Sequence, residues 1–333
     1  MTQDNRQIVL AEIPQGKLEP EHFRLAQTER PVPGDGEVLV RVLYVSLDAA
    51  NRAWMQGATY RSALKAGDVM AGGALAEVIE SRSPDLLPGD LVFADTGWQT
   101  YAVLPGRRLT RLPRLDPITH LLSVYGVAGL TAYFGLLECG QPKAGETVVV
   151  SAAAGSVGSI VGQIARIKGC RTVGIVGGPA KSALLTSELG FAAAVDYKAG
   201  DTRRALRAAC PDGIDVYFDN VGGDIFEACL FNMVNHGRIA CCGAVSQYDG
   251  AAPRAGPRGV PGLIVTKRLT LRGFIVSDFD NQRAAALEQL TAWVESGQLK
   301  VREDVIDGLE NLPAALVGLL AGENIGKRMV KVA

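Results

Sequence analysis

Histidine and patterned cysteine are what this sequence has least of. Three histidines, His22, His120 and His236, are spread over 333 residues, none beside a second ligand type at metal spacing. The six cysteines (Cys139, Cys170, Cys210, Cys229, Cys241, Cys242) form no C-x-x-C pair, and only the last two adjoin. That arrangement fits neither a zinc site nor a disulfide framework. The expectation is scattered reduced thiols, no metal, and a cytoplasmic chain. An excess of one charge is also missing: 34 Lys and Arg against 35 Asp and Glu give a net charge of -1. No basic stripe of the kind that holds nucleic acid is present. The longest apolar stretches, such as Leu312–Leu320, are too short to span a bilayer. The start, MTQDNRQIV, lacks the apolar centre of a secretory signal. With 47% hydrophobic and 21% charged residues the composition is globular, and the length suits two domains.

Two patterns divide the chain. Up to about residue 122 it reads as β-rich. The turn Pro33-Gly34-Asp35-Gly36 precedes the alternation Glu37 to Val42, and short strands at 74–79 and 91–94 flank the turn Pro88-Gly89-Asp90. Beyond it strands alternate with helical stretches, the sign of a parallel sheet built from βαβ units. Strands are expected at 147–150, 172–176, 194–197, 214–218, 238–242 and 269–276. The first helix shows Val157, Ile160, Val161, Ile164 and Ile167 at helical spacing, with Gly169 as its C-terminal cap. Pro179 opens the second helix and Gly190 closes it, and a third starts near Thr202. A Gly/Pro/Arg-rich stretch, 250–262, reads as a loop. The tail offers a helix at 284–293, a strand at 300–306, a helix from Pro313 and a strand at 328–332, which are expected to fold back on the first domain.

The segment Ser151 to Gly158, SAAAGSVG, follows the first of these strands and opens its helix. A dinucleotide fingerprint, G-x-G-x-x-G, belongs in that context. Ala153 holds its first position, Gly155 and Gly158 the second and third, with Ser156 and Val157 between. Gly155 would let the backbone approach a pyrophosphate, and Gly158 would let the helix pack close to the sheet. Helix N-terminal amides then stabilise the phosphate charge. Gly177-Gly178 stand at the end of the second strand, where an acidic residue would bind the ribose of NAD. Lys181 just beyond and Tyr197 at the end of the third strand suit the 2′-phosphate of NADP(H).

At these residues the sequence resembles the zinc-independent medium-chain dehydrogenase/reductases, in the group of prostaglandin reductases (leukotriene B4 12-hydroxydehydrogenases), 2-alkenal double-bond reductases and NADPH-dependent curcumin reductases. The resemblance covers nearly the whole chain. It is carried by GLTAYFG at 129–135, VVVSAAAGSVGSIVGQIARIKGC, DVYFDNVGG at 215–223, RIACCGAVSQY at 238–248, GFIVSDF at 273–279 and GENIGKRMVKV near the end. It implies an α/β fold: a Rossmann-type doubly wound parallel sheet domain (123–296) inserted into a GroES-like β-barrel domain (1–122 with 297–333), in a homodimer paired through Rossmann sheet edges. Carried over by position, Thr131, Asn220, Cys242, Gly243, Ala244, Ser246, Gln247, Tyr248, Phe274, Ile275, Val276, Asn324 and Gly326 join the cofactor site, and Asn51, Tyr60 and Tyr248 the substrate pocket. Zinc-dependent relatives carry a Cys ligand early and G-H-E in the barrel; here Met70-Ala71-Gly72-Gly73-Ala74 offers no ligand.

The implied chemistry is reduction of a carbon–carbon double bond conjugated to a carbonyl. Hydride would reach the β-carbon while charge develops on the carbonyl oxygen, where a hydrogen-bond donor acts selectively on the transition state. The resemblance implies Tyr248 and a cofactor ribose hydroxyl as donors, with Tyr248 or water protonating the α-carbon. Many relatives read Asp-Pro-Tyr-Met-Arg where this chain has Asp48-Ala49-Ala50-Asn51-Arg52, so Ala50 replaces a pocket tyrosine and Tyr60 is the alternative polar contact. Arg254 and Arg258, after Tyr248, are candidates to attract an acidic substrate or are solvated surface charges. Two other readings are quinone reduction, which shares fold and cofactor, and a non-enzymatic NADP-binding protein of crystallin or sensor type.

Overall fold

A computed structural model describes residues 4–58, 61–250, 256–257 and 259–333. Its centre is a six-stranded sheet in which every neighbouring pair is parallel. The strands are Thr147–Ser151, Arg171–Val176, Ala193–Asp196, Ile214–Asp219, Met233–Cys241 and Thr270–Gly273, first to sixth along the chain. Their spatial order is third, second, first, fourth, fifth, sixth. The order reverses between the first and fourth strands, so a crevice opens outside their carboxyl ends.

Period-two alternation assigns the two faces of this sheet. Val148 and Val150 point to one side, where Val161, Ile164, Leu290 and Trp293 cover them from the helices Gly158–Ile167 and Arg283–Glu295. Val149 points to the other, with Val173, Ile175 and Tyr217, under Leu206, Phe226 and Leu230 from the helices Thr202–Ala209 and Gly223–Asn232. A parallel sheet buried on both faces explains why its strands read as near-continuous Val/Ile runs.

The chain's beginning and end build a second, seven-stranded sheet. Its spine is the ten-residue strand Glu37–Ser46, which pairs antiparallel with Gly73–Ser81, Tyr101–Pro105 and the C-terminal Lys327–Lys331. Met329 lies opposite Ser46 and Val330 opposite Val45. The tail helix Leu312–Leu320 buries Leu312, Ala315 and Leu316 against Val42, Val45 and Trp98. The two sheets touch where Gly155 and Gly326 form a parallel bridge, Gly326 N–H donating to the Ala154 carbonyl at 2.8 Å.

Three sequence expectations change. The fifth strand begins at Met233 rather than near 238, because it runs through a bulge: His236 is left-handed (φ 62°), and the turn-like Asn-His-Gly disguised a continuing strand. The sixth strand ends at Gly273, and Val276–Gln282 is a 3-10 segment instead of strand. The loop expected over 250–262 gives way at its end to the helix Val260–Lys267, which Pro261 starts in the first turn. Arg254 and Arg258 lie outside the described residues.

Met329→Ala is expected to cost about 2–5 kcal/mol, because it empties a fully buried site where the returning tail closes the second sheet. Urea unfolding with an unchanged midpoint would show that this strand adds nothing to stability.

Candidate functional site

The loop after the first strand is shaped by its backbone. Ala152 takes a left-handed conformation (φ 49°), and its carbonyl accepts the Gly155 N–H at 2.9 Å, closing a tight turn. A Cβ on Gly158 would stand 2.4 Å from that same carbonyl oxygen, so only glycine lets the helix begin this close to the strand. Ala153 is buried beneath the turn, while Gly155, Ser156, Val157 and Gly158 line a cleft of about 1180 Å³. The Ser156 hydroxyl oxygen is buried there without a hydrogen-bond partner.

The cleft runs along the carboxyl ends of the second, first and fourth strands. At the second, Gly178 (φ 96°) caps the helix Pro179–Ser187 and Gly177 leaves room for the Tyr197 ring, 3.0 Å from where a Cβ would sit. No carboxylate belongs to this strand end, but Asp196 of the third strand reaches it, accepting N–H groups of Gly178 and Lys198 at 2.9 Å each. Those bonds hold its carboxyl below the usual range. Lys181 donates to the carbonyls of Gly322 and Asn324 at 2.6 and 2.7 Å, pinning the helix to the C-terminal segment. Burial, with Lys198 and Arg328 nearby, lowers its pKa from the usual lysine value. An ammonium has three donors, so these two carbonyls leave one over.

At the fourth strand Asn220 donates its side-chain amide to the Ser151 carbonyl at 2.7 Å. Cys242 and Gly243 donate their backbone N–H groups to the Asp219 carbonyl, at 2.8 and 3.1 Å, which turns the chain after the fifth strand towards the crevice. Ser246 then bonds the Val221 carbonyl through its hydroxyl at 2.7 Å. Tyr248 closes this turn: its hydroxyl oxygen accepts the Ala244 N–H at 3.2 Å, so its own proton is available to another acceptor. From the opposite side come Leu47, Asp48 and Ala49. Burial pushes the Asp48 carboxyl up, but the Lys327 ammonium at 2.5 Å and the Ser46 hydroxyl outweigh it and hold it below the usual range.

Of the other residues marked in the sequence, Gly177, Lys181, Tyr197, Asn220, Ser246 and Asn324 line the cleft. Gly243, Ala244, Gln247 and Tyr248 stand on the segment beside it. Cys242, Phe274 and Val276 pack on the core under the helices; Phe274 fits because Gly135 has no side chain, a Cβ there falling 2.2 Å from the ring. Ile275 is exposed, Thr131 is half-buried on the helix Val127–Phe134, and Gly326 forms the bridge to the loop. Asn51 is buried with both amide ends engaged, accepting the Asp48 N–H and donating to the Ala71 carbonyl. Tyr60 lies outside the described residues. Lys17, Asp201, Arg203 and Asp249 also line the cleft and had not been marked. Only Asp201 had a signal, as the N-cap of the helix at Thr202.

Two family models match, described as the N-terminal domain of oxidoreductase over residues 6–112 and zinc-binding dehydrogenase over 156–293. A putative NADP-dependent oxidoreductase of Bacillus subtilis is 45% identical, covering 100% of this chain and 99% of its own. An NADPH-dependent curcumin reductase of Escherichia coli is 42% identical, covering 99% and 98%. The crystal structure of CurA from Vibrio vulnificus in complex with NADPH superposes with a TM-score of 0.94 at 40% identity, covering 98% and 99%. The chain belongs to the zinc-independent medium-chain dehydrogenase/reductases. It shares that family's α/β fold, and it is an NADP(H)-dependent oxidoreductase. Among the described residues no group of three or more His, Cys, Asp or Glu is placed to hold a metal ion. The residues present fit the dinucleotide: a glycine-lined turn at a helix start, and in it a buried hydroxyl lacking a partner.

Burial disfavours the thiolate at all six cysteines. Burial pushes Cys170, Cys210 and Cys241 up to about 11 and Cys242 up to about 12, and raises Cys139 and Cys229 as well. At pH 8 a thiol at pKa 11 is only about one part in a thousand thiolate, the reactive form. A disulfide reagent is therefore expected to react slowly with the native protein at pH 8 and to count six thiols after denaturation. Rapid reaction of any native thiol would contradict this.

Proposed function

We propose that the protein reduces the carbon–carbon double bond of α,β-unsaturated ketones and aldehydes with NADPH, and that Tyr248 is the hydrogen-bond donor to the carbonyl oxygen. One observation carries the reading: the Tyr248 hydroxyl oxygen accepts the Ala244 N–H, which leaves its own proton to be donated elsewhere. The similarity to a curcumin reductase supports the substrate class, since curcumin is an enone.

In this reading the turn Ala153 to Gly158 holds the pyrophosphate, with the Ser156 hydroxyl as one donor. Gly177, Gly178, Lys181 and Tyr197 hold the 2′-phosphate end, Lys181 with the donor its two carbonyl bonds leave over. Asn220, the segment 242–248, Thr131, Phe274 to Val276, Asn324 and Gly326 form the remainder. When bound, NADPH supplies the hydride that the β-carbon accepts. The chain's own work is to orient the alkene, exclude water and stabilise the developing enolate oxygen. Tyr248 gives that oxygen a hydrogen bond, and it or a water returns a proton to the α-carbon. Residues 1–122 with 297–333 form the substrate side and 123–296 the cofactor side.

Tyr248→Phe is expected to lower kcat for an enone about 10²–10³-fold, the usual loss of one oxyanion donor. Its NADPH affinity by calorimetry should stay within twofold. A panel of 2-alkenals, enones and quinones identifies the substrate; turnover of quinones alone, or kcat unchanged in Tyr248→Phe, would defeat the reading. We also propose a cytoplasmic homodimer paired through the open edge of the sixth strand, beside which Ile275 stays exposed. Light scattering should give twice the chain mass, and a monomer at micromolar concentration would rule this out.

A further inference from the structure

Tyr248 is gripped from the other side of the cleft. The short helix Ala50–Gln56 belongs with the seven-stranded sheet, yet two of its side chains, one turn apart on the same face, hold consecutive residues beyond the fifth strand of the parallel sheet. Gln56 Nε2 donates to the Tyr248 carbonyl at 2.8 Å. Arg52 Nε donates to the Asp249 carboxylate at 3.1 Å. The same carboxylate oxygen accepts the Leu18 N–H at 2.7 Å, and Arg52 Nη2 donates to the Gly16 carbonyl at 2.7 Å. The Arg52 side chain is 1% exposed and that of Asp249 16%, so this ion pair is shielded, unlike most in the molecule.

The two grips act on either side of one rotatable point. The carbonyl of Tyr248 and the side chain of its neighbour are held by the helix, while its hydroxyl is held by Ala244 on the turn after the fifth strand. Slackening either helix contact lets the dipeptide turn about its backbone, and the hydroxyl at the far end of the ring moves most. The Arg52 Nη1 is buried without a hydrogen-bond partner, so part of the guanidinium's burial cost is left uncompensated.

We propose that Arg52 and Gln56 are positioning residues that aim the Tyr248 hydroxyl through the Tyr248–Asp249 dipeptide, making the donor's placement depend on how the helix Ala50–Gln56 seats against that segment. The proposal rests on Tyr248 being the donor, and its test separates the two. Gln56 is exposed, so Gln56→Ala should fold normally; Arg52→Lys keeps the charge but loses the guanidinium's directed donors. Each is expected to lower kcat for an enone about 10- to 100-fold, the range for a displaced catalytic geometry, with the calorimetric Kd for NADPH unchanged. Hydrogen–deuterium exchange over 243–250 should rise in the full chain without ligand, a change that needs no turnover to be read. Combined with Tyr248→Phe, neither substitution should lower kcat further, because groups acting through one another are non-additive.

Losses that multiply in the double variants, or exchange that does not rise in Gln56→Ala, overturn the grip while leaving Tyr248 as donor. An unchanged kcat in Tyr248→Phe alone removes the donor and the grip together. Should Arg52→Lys fail to fold, Gln56→Ala decides by the same criteria.

Discussion

Everything at the crevice depends on a buried carboxylate. Asp219 ends the fourth strand at 4% exposure. Its Oδ1 accepts the Tyr217 and Ser151 hydroxyls at 2.6 and 3.2 Å and the N–H groups of Val221 and Gly222 at 3.0 Å each. A charge taken out of water is tolerated only when so surrounded by donors. Four donors on one oxygen tie the end of the first strand to the end of the fourth, where the strand order reverses. The price appears next door, where burial and the Asp219 charge raise the Tyr217 hydroxyl well above its usual pKa. With Asp219 fixed, its carbonyl receives Cys242 and Gly243, and Ser151 receives Asn220. One acidic side chain thus sets both the floor of the cleft and the start of the segment that carries Tyr248.

The sequence made this centre legible and its closure much less so. Strands one to four are found where Val-rich runs and turn residues put them, because a parallel sheet covered on both faces leaves a strong local signal. The turn at Ala153 to Gly158 is legible for the same reason: glycine at 155 and 158 reports backbone proximity, which is a local fact. Failures came where a local signal had two meanings. Asn235-His236-Gly237 reads as a turn and is a bulge within a strand. Gly259-Val260-Pro261 reads as loop and is a helix start. Arg52 with Asp249 and Lys181 with Gly322 and Asn324 left no trace at all, since each joins residues far apart in the chain and neither partner is unusual for its own element.

Charge at the outer end of the cleft is paired rather than left in excess. The outer end gathers Lys181, Lys198 and Arg328 close enough to depress the Lys181 pKa after burial has done so. Asp196 stands among them, its carboxylate capping the turn at Gly178 through two backbone N–H groups. Asp304 and Glu323 stand at the same end, and Arg328 pairs with both at 2.8 and 3.9 Å, so the cations there are matched by carboxylates. Asp48, on the opposite wall, is likewise paired, with Lys327.

The cleft exists only between two bodies of structure, and this governs how a donor can be placed in it. One wall is the carboxyl ends of the parallel strands, held together by the ladder of the sheet and by Asp219. The other is a helix and a returning tail, joined to the first wall by the Gly155–Gly326 bridge, by Lys181 and by the Arg52–Asp249 pair. A tyrosine on either wall alone would be set by that wall and indifferent to the other. Tyr248 is bonded to both, through Ala244 on one side and Gln56 on the other. The place of its ring is therefore set by both walls together, since its hydroxyl and its carbonyl are bonded to different ones.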